Sequence, residues 1–278
     1  MMHLFDTLAG RCSRLTTHMY STSFSLGIRC LHKNLRSPIH AIYGFVRFAD
    51  EIVDTFNDYN KRELLFRFRE ETYRSIEEKI SLNPILHSFQ STVNEYKIDR
   101  RLVELFLHSM EMDLEKKEYQ EEEIKEYIAG SAEVVGLMCL SVFCKHNANL
   151  YALLSPYARR LGSAFQKINF LRDLNTDYNE MGRTYFPGIK MSQWSQYHKA
   201  KIEKSIEADF TEALKGIKQL PRSSRFGVYV AYIYYLSLFK KIQNTPPDLV
   251  MKRRIRITNQ DKARLLAYSY VKHQLNMI

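Results

Sequence analysis

Residues 166–177 read QKINFLRDLNTD. Its polar residues Gln166, Asn169, Asp173 and Asp177 are spaced three, four and four apart. On an α-helix those steps return to the same face, so two amides and two carboxylates form one polar stripe. The residues between them are largely apolar. A polar stripe on such a helix predicts that it borders a buried cavity rather than bulk solvent.

A second stretch, YGFVRFADEIVD at residues 43–54, has the same character, with Asp50 and Asp54 four apart. One D-x-x-x-D pair also arises by chance on a solvated helix face. Two pairs, each within an otherwise apolar helix, are a stronger signal. Mg²⁺ takes oxygen ligands and shares them with substrate phosphates. We therefore predict that the two pairs face each other across a helical cavity and hold Mg²⁺ on a diphosphate.

Arginines lie beside both acidic pairs. Arg47 is one turn before Asp50, and Arg172 adjoins Asp173. A guanidinium binds phosphate oxygens through two hydrogen bonds, which favours a diphosphate site. The alternative for Arg47 is an intrahelical salt bridge with Asp50 or Glu51.

Two further stretches leave alternatives open. In the loop GRTYFP, residues 182–187, Arg183 and Tyr185 either cap the mouth of the cavity or are a helix terminus and a packed aromatic. Glycine inside a helix costs about 1 kcal/mol relative to alanine. The small residues between Gly130 and Gly136 therefore indicate a close approach, either of a second helix or of a long apolar ligand.

Composition favours one all-α domain over residues 1–278. The chain has only ten glycines and seven prolines, and no alternating strand pattern competes with the helical one. The formal net charge of +10 suits nucleic acid, an anionic membrane surface, phosphorylated substrates or simply a basic solvated surface. No nucleic-acid recognition motif is present, so no nucleic-acid partner is expected.

The cysteines and apolar stretches bear on location. The four cysteines include no C-x-x-C pair, so a zinc site is not expected and a reducing cytoplasm fits. The N-terminus has no long apolar core typical of a signal peptide. The longest apolar stretch, residues 228–239, is about half a membrane span. We expect a soluble cytoplasmic protein, with peripheral contact at the inner membrane face as an option.

Helix boundaries follow from prolines, glycines and caps. Residues 1–13 are expected to be a short lead, followed by a helix over 14–31. Pro38, with Ser37 as cap, is expected to open the helix that carries the first acidic pair. Ser155 and Pro156 are expected to open the long helix with the second pair, and Gly182 to end it.

Five motifs in order resemble the squalene and phytoene synthase family. They are YSTSF (20–24), YGFVRFADEIVD (43–54), YIAGSAEVVG (127–136), QKINFLRDLNTD (166–177) and GRTYFP (182–187). The resemblance implies the all-α isoprenoid-synthase bundle with a central cavity. It also implies a prenyltransferase that joins two allylic prenyl diphosphates through their C1 ends, with Mg²⁺, or alternatively Mn²⁺, as cofactor.

The resemblance also implies roles for individual residues. It assigns metal and diphosphate binding to the four aspartates, Asp50, Asp54, Asp173 and Asp177. It places around the diphosphates Arg47, Arg172, Gln166 and Asn169. It places along the cavity wall Ser21, Phe24, Tyr43, Tyr127, Ala132, Val135 and Gly136.

This chain departs from the family pattern at two places. Tyr20 stands where family members often have histidine, which puts one phosphate donor in doubt. The family usually has a tyrosine shortly before a basic run near the C-terminus. Here the basic run is present at 253–256, but prolines precede it, so Tyr234 or Tyr235 is the remaining option.

The phytoene branch is the preferred assignment, with two geranylgeranyl diphosphates as substrates and no need for NADPH. Ile28, one turn beyond Phe24, is modest in size and favours a deep cavity. Two farnesyl diphosphates, giving dehydrosqualene or squalene, are the alternative. A non-catalytic family member is a further option, although both acidic pairs are intact. A monomer or weak homodimer is expected.

Overall fold

The computed structural model describes residues 2–275. Those residues are 81% helical and contain no strand, which confirms the predicted all-α class. Thirteen α-helices follow one another in this described part: α1 Met2–Tyr20, α2 Thr22–Arg29, α3 Lys33–Asp54, α4 Lys61–Glu78, α5 Pro84–Tyr96, α6 Arg100–Glu115, α7 Glu121–Ile128, α8 Val134–Cys144, α9 Ala148–Asn179, α10 Gln196–Gln219, α11 Arg222–Gln243, α12 Pro247–Val250 and α13 Asn259–Gln274.

Two apolar cores lie on either side of a central cavity. One is built mainly by α3 to α6 and α8, where Phe45 stacks on Phe89 with ring centroids 3.9 Å apart. The other is built mainly by α7 and α9 to α11. Val228 of α11 packs against both. The acidic pairs lie near the C-terminal ends of α3 and α9, so both helices deliver carboxylates to the same cavity.

The small residues after α7 serve close helix packing. Ala129–Glu133 form a single π-helical turn that joins α7 to α8. A Cβ on Gly130 would lie 2.6 Å from the carbonyl oxygen of Leu105, and one on Gly136 would lie 2.9 Å from that of Ala158. Gly136 also lines the cavity. The segment therefore packs closely against neighbouring helices, and at Gly136 it also borders the cavity.

The N-terminal prediction was wrong. Residues 2–20 form a complete helix instead of a short lead, and α1 ends before the predicted helix of 14–31 does. The break falls at Ser21, whose Oγ accepts a hydrogen bond from the backbone N–H of Phe24, 3.1 Å away, and so caps α2.

Two prolines predicted to open helices lie inside them. α3 begins at Lys33, and Pro38 is buried within it, so Ser37 is not its cap. α9 begins at Ala148, where the side chain of Asn147 accepts from Leu150 N–H at 3.0 Å, and Pro156 follows two turns later. Each proline removes one helical hydrogen bond, and the packing of the long helix outweighs that loss. α9 ends at Asn179, three residues before the predicted Gly182, whose φ is +65° in the following loop.

One helical stretch in residues 2–275, Glu121–Cys144, is long and apolar enough to cross a membrane by length and composition. It, and not the predicted 228–239, is the strongest such stretch. However, 56% of its most apolar window is buried inside the protein. A core helix of a soluble protein passes the same test, so this stretch is weak support for a span.

Close packing of α9 on the π-helical turn predicts the effect of Gly162→Ala. A Cβ at Gly162 would lie 2.5 Å from the carbonyl oxygen of Ala132, and backbone cannot move aside as a side chain can. We expect a loss of about 1–3 kcal/mol in the free energy of unfolding, measured by urea titration. Gly10→Ala in α1 is the control, because its Cβ would meet only Ser37 Oγ at 3.4 Å. Equal stability of the two variants would contradict this packing.

Candidate functional site

A cavity of about 510 Å³ runs between the helices. Its wall is drawn from the end of α1, from α2, α3, α6 and α7 to α11, and from the segments after α9 and α12. The structure places every residue that the sequence analysis assigned to the site on this wall: Ser21, Phe24, Tyr43, Arg47, Asp50, Asp54, Tyr127, Ala132, Val135, Gly136, Gln166, Asn169, Arg172, Asp173, Asp177, Arg183 and Tyr185.

The aspartates of the two pairs are close enough to perturb one another. Burial raises the pKa of Asp50 from 3.8 to about 7, and the charge of Asp54 adds to this rise. Burial likewise raises the pKa of Asp177 to about 8, with further contributions from Asp173 and Asp54. Asp54 of α3 thus acts on a residue of α9. Such mutual repulsion is relieved by protons, by arginines or by a bound cation.

A fifth aspartate, which sequence reasoning missed, lies between the two pairs. Asp113 of α6 is buried and lines the cavity. Its Oδ1 accepts hydrogen bonds from the hydroxyls of Tyr119, at 2.9 Å, and Tyr185, at 3.1 Å. Its Oδ2 accepts from Tyr127 at 2.7 Å and lies 3.7 Å from Arg183 Nη1. Tyr127 and Tyr185 therefore line the cavity, and the hydroxyls of both donate to the Asp113 carboxylate.

The position of Asp113 in its helix was a usable signal. It lies three residues after Met110 and seven after Phe106, which is the buried face of α6. A carboxylate on that face needs a partner or a ligand. The acidic run that follows, Glu121, Glu122 and Glu123, lies by contrast in the first turn of α7, at the protein surface.

Arginines bridge the acidic groups. Arg183 Nη1 donates to Asp54 Oδ1 at 3.1 Å. Asp173 is held by Arg172 Nε at 3.0 Å and by Arg254 Nε at 2.8 Å. Arg254 comes from the basic run near the C-terminus, so that run does reach the cavity.

Arg47 lies next to both acidic residues named for the intrahelical alternative, Asp50 and Glu51. It lines the cavity and forms an intrahelical salt bridge with Glu51. Its Nη1 lies 3.9 Å from Asp50 Oδ2. Its guanidinium also lies over the ring of Tyr20, 4.4 Å from the centroid. Tyr20 stands where family members often have histidine, a side chain that can itself carry a positive charge. Tyr20 instead contacts the positive charge of Arg47 through its ring.

The choice between Tyr234 and Tyr235 falls to Tyr235. Tyr235 lines the cavity, and its hydroxyl donates to Asn169 Oδ1 at 3.3 Å. Tyr234 instead donates to the backbone oxygen of Lys262. Asn169 in turn donates to Gln166 Oε1 at 3.4 Å, so amides and phenol form one chain of hydrogen bonds.

Aromatic rings form a collar below the charged groups. Phe24 lies 5.8 Å from Tyr43 and 5.8 Å from Tyr235, centroid to centroid. Phe165, another residue not singled out from the sequence, stacks on Tyr235 at 3.9 Å. Phe24, Tyr43, Phe165 and Tyr235 together form this aromatic collar on the cavity wall.

Beyond the collar the wall is apolar. It is lined by aliphatic, aromatic and small residues of α2, α8, α9, α10 and α11, among them Ile28, Leu31, Phe143, Leu154, Ile217 and Leu220. Leu154 and Asp173 lie on the same helix nineteen residues apart, about 28 Å at the rise of an α-helix. The cavity therefore offers a charged mouth and a long apolar interior.

The donor set of the mouth fits a hard divalent cation. Five aspartates line one cavity, and two of them hold protons well above their ordinary pKa. Among residues 2–275 no three acidic, histidine or cysteine side chains form a complete metal-binding cluster. Mg²⁺ characteristically takes one or two carboxylates and completes its shell with water and substrate phosphate. The arrangement suits an ion that binds together with its phosphate ligand.

A sequence profile described as squalene/phytoene synthase matches residues 17–261, which is most of the chain. The chain belongs to the squalene/phytoene synthase family. Members of this family are prenyltransferases. The match contains all five motifs and every candidate site residue named above.

Similar members of the squalene/phytoene synthase family come from plants. Phytoene synthase 1 of Solanum lycopersicum is 27% identical, over 94% of this chain and 67% of its own. Phytoene synthase of Daucus carota is 26% identical, over 90% and 67%. Phytoene synthase 1 of Zea mays is 27% identical, over 87% and 63%. The chain spans about two thirds of the length of these relatives.

Solved structures of this family share the fold. A dehydrosqualene synthase in complex with ligand superposes with a TM-score of 0.83 at 20% identity, covering 97% of this chain and 98% of that one. Squalene synthase HpnC from Alicyclobacillus acidocaldarius gives 0.74 at 18% identity, covering 84% and 93%. These likenesses confirm the predicted isoprenoid-synthase bundle.

Burial of Asp177 predicts a pH-dependent effect of Asp177→Asn. The folded protein keeps this proton to about pH 8, whereas the ordinary pKa is 3.8, so ionisation lowers wild-type stability as pH rises between these values. Asparagine does not ionise. We expect the stability of Asp177→Asn relative to wild type to grow from about pH 5 to about pH 8. Urea unfolding in the presence of a chelator measures it.

The matched control is Asp58→Asn, an exposed position of the loop after α3 that does not line the cavity. A stability difference for Asp177→Asn that stays the same at every pH would contradict the burial and repulsion assigned to Asp177.

The tyrosines around Asp113 predict a difference between two substitutions there. Asp113→Ala leaves three phenolic hydroxyls and Arg183 without their shared acceptor, and should cost about 3–5 kcal/mol of unfolding free energy. Asp113→Asn keeps one carbonyl oxygen as acceptor and should cost less. Denaturant unfolding at a fixed pH compares them. Equal losses would show that packing, and not hydrogen bonding, sets the cost.

Proposed function

We propose that the protein joins two prenyl diphosphates head to head, through their C1 atoms, in this cavity. One observation carries the proposal: five aspartates and four arginines surround one end of a cavity whose remainder is apolar. An allylic prenyl diphosphate has the same two parts, an anionic head and a long apolar chain. The names of the phytoene synthase relatives support the same reaction class.

The aspartates of α3 and α9 would hold Mg²⁺, or alternatively Mn²⁺. When bound, the ion neutralises diphosphate charge and so makes diphosphate a better leaving group. Arg183, Arg172 and Arg254 already lie against these carboxylates. Their guanidiniums would also bind phosphate oxygens of the diphosphates. We therefore assign the arginines to the diphosphates and the carboxylates to the metal.

The first half of the reaction begins at the mouth. The C1–O bond of one substrate breaks, and its electron pair leaves with diphosphate, which Arg172 and Arg254 stabilise. The allylic cation that remains is attacked by the C2=C3 double bond of the second substrate. A proton leaves as the three-membered ring closes, giving a cyclopropylcarbinyl diphosphate.

The second half requires a dry cavity. The second diphosphate leaves, the skeleton rearranges, and loss of a proton gives a triene. Water would capture any of these cations. The collar of Phe24, Tyr43, Phe165 and Tyr235 separates the reacting carbons from the aqueous mouth. We assign the role of base that accepts this last proton to the released diphosphate, which is held at the mouth.

We assign the substrates to the C20 class, which makes phytoene the product. Ile28 is buried in the cavity wall and leaves depth beyond Phe24. The apolar wall continues to Leu154, about 28 Å from Asp173 along α9. Two C15 chains, giving dehydrosqualene or squalene, are the alternative. The similarity of the fold to that of a dehydrosqualene synthase is compatible with either substrate length. The C20 assignment needs no NADPH.

A non-catalytic role is the second alternative, and the complete set of cavity aspartates argues against it. The cytoplasmic location and the monomeric or weakly dimeric state expected from the sequence stay proposals.

Turnover with each diphosphate tests the proposal. With geranylgeranyl diphosphate and Mg²⁺ we expect a forty-carbon hydrocarbon, identified by mass spectrometry of the extract. Asp50→Asn and Asp173→Asn should each lower turnover by on the order of 10²–10³-fold, because each removes a carboxylate that would hold the cation on the departing diphosphate. Asp58→Asn, outside the cavity, should retain it.

Two results would contradict this scheme in different ways. A thirty-carbon product from farnesyl diphosphate, with none from the longer substrate, would overturn the C20 assignment but keep the reaction. Unchanged turnover in both aspartate variants would overturn the site.

A further inference from the structure

Helix α1 carries its large apolar side chains on the outside. Its buried residues are all small or hydroxylated: Ala9, Ser13, Thr16 and Thr17. Its large aliphatic residues lie in solvent instead, and four of them form what we name the α1 stripe: Leu4, 77% exposed, Leu8, 52%, Leu15, 59%, and Met19, 75%. A soluble helix normally buries such residues. Folding alone does not account for this inversion.

The α1 stripe is interrupted once, by an arginine, and has a basic edge. Its members are four, seven and four residues apart, which places them on one line of a helix with 3.6 residues per turn, about 22 Å long. Arg11 is exposed and lies on the same line between Leu8 and Leu15, and the exposed Arg14 and His18 fall on the adjacent line. Arg11 and Arg14 form no ion pair within residues 2–275.

The one acid of α1 lies away from this edge. Asp6 accepts from His87 of α5 at 2.8 Å, on the side of α1 that packs against the protein. The exposed half of α1 is therefore apolar and positive. This combination is typical of a helix that lies in the interface of an anionic bilayer, with its apolar side chains below the headgroups and its arginines among them.

A second copy of the chain fits this surface less well than a bilayer does. The α1 stripe and its basic edge together comprise seven side chains on one helix. A stable protein interface uses about 20–30 residues a side. A bilayer requires no such area, since each inserted aliphatic side chain and each arginine contributes separately.

We propose that the α1 stripe binds anionic lipid and sets the mouth of the cavity at the membrane surface. The stripe ends at Met19, and the next two residues, Tyr20 and Ser21, line the cavity. Tyr20 also stacks with Arg47 at the charged mouth. The inference rests on the proposed function. Lipid binding by α1 places the mouth where amphipathic prenyl diphosphates are dissolved, with their heads in water and their chains in lipid.

Vesicle flotation tests the lipid contact without any substrate. We expect wild-type protein to float with vesicles of phosphatidylcholine and phosphatidylglycerol in equal parts, and to be released by salt. Leu8→Gln with Leu15→Gln should lower the partition coefficient by at least about tenfold. Arg11→Gln with Arg14→Gln should lower it by roughly fivefold per arginine. Circular dichroism and thermal unfolding show that each variant folds.

The matched control is Leu82→Gln with Leu153→Gln, which changes two exposed leucines outside α1. It should float as wild type does. Floating of the α1 leucine variant as well as wild type would overturn the proposal. So would a dimer in analytical ultracentrifugation that this variant dissociates while no form binds vesicles.

Turnover separates this proposal from the function on which it rests. The α1 leucine variant should match wild type on detergent-dispersed substrate and fall behind on substrate embedded in vesicles. Equal turnover on both would overturn the membrane role of α1. Absence of turnover in every form, with flotation still lost in the variant, would overturn the proposed reaction and leave the lipid contact standing.

Discussion

Crowding of carboxylates at one end of an apolar cavity is the constraint on which the rest of the structure depends. Asp50, Asp54, Asp113, Asp173 and Asp177 come from three helices and share one wall. Each would repel the others strongly where little water screens them. The protein offsets this repulsion with protons held to unusually high pH, with arginines and with tyrosine hydroxyls. A divalent cation bound together with diphosphate would offset the same repulsion.

The cavity itself also affects how closely the helices pack elsewhere. A cavity removes apolar contacts from the centre of the molecule, and the surrounding helices must recover them at their crossings. Gly130, Gly136 and Gly162 do this by bringing backbone against backbone. Gly136 serves both purposes, since the closeness to Ala158 that stabilises the bundle also shapes the cavity wall. Stability and cavity shape are therefore set by the same few positions.

Much of this was predictable from spacing alone. Two D-x-x-x-D pairs on apolar helices place four carboxylates and their arginines on the cavity. Asp113 was missed because its partners, Tyr119, Tyr127 and Tyr185, come together only in the folded chain. The helix starts at Pro38 and Pro156 were wrong for a related reason. A proline's local cost is visible in the sequence, whereas the packing that outweighs it is not.

The places where local rules fail are also the places where function is proposed. The face of a helix that packs against the protein usually carries apolar side chains, and its solvent face usually carries polar ones. On α3 and α9 this rule is inverted, because charged side chains face inward to the cavity. On α1 it is inverted at the outer surface, because large aliphatic side chains are exposed there. The two inversions meet at Tyr20 and Ser21, where α1 ends and the cavity opens. A protein that takes an amphiphile from a bilayer needs both at adjacent positions: an apolar exterior that reaches the lipid, and a polar interior that receives the charged head.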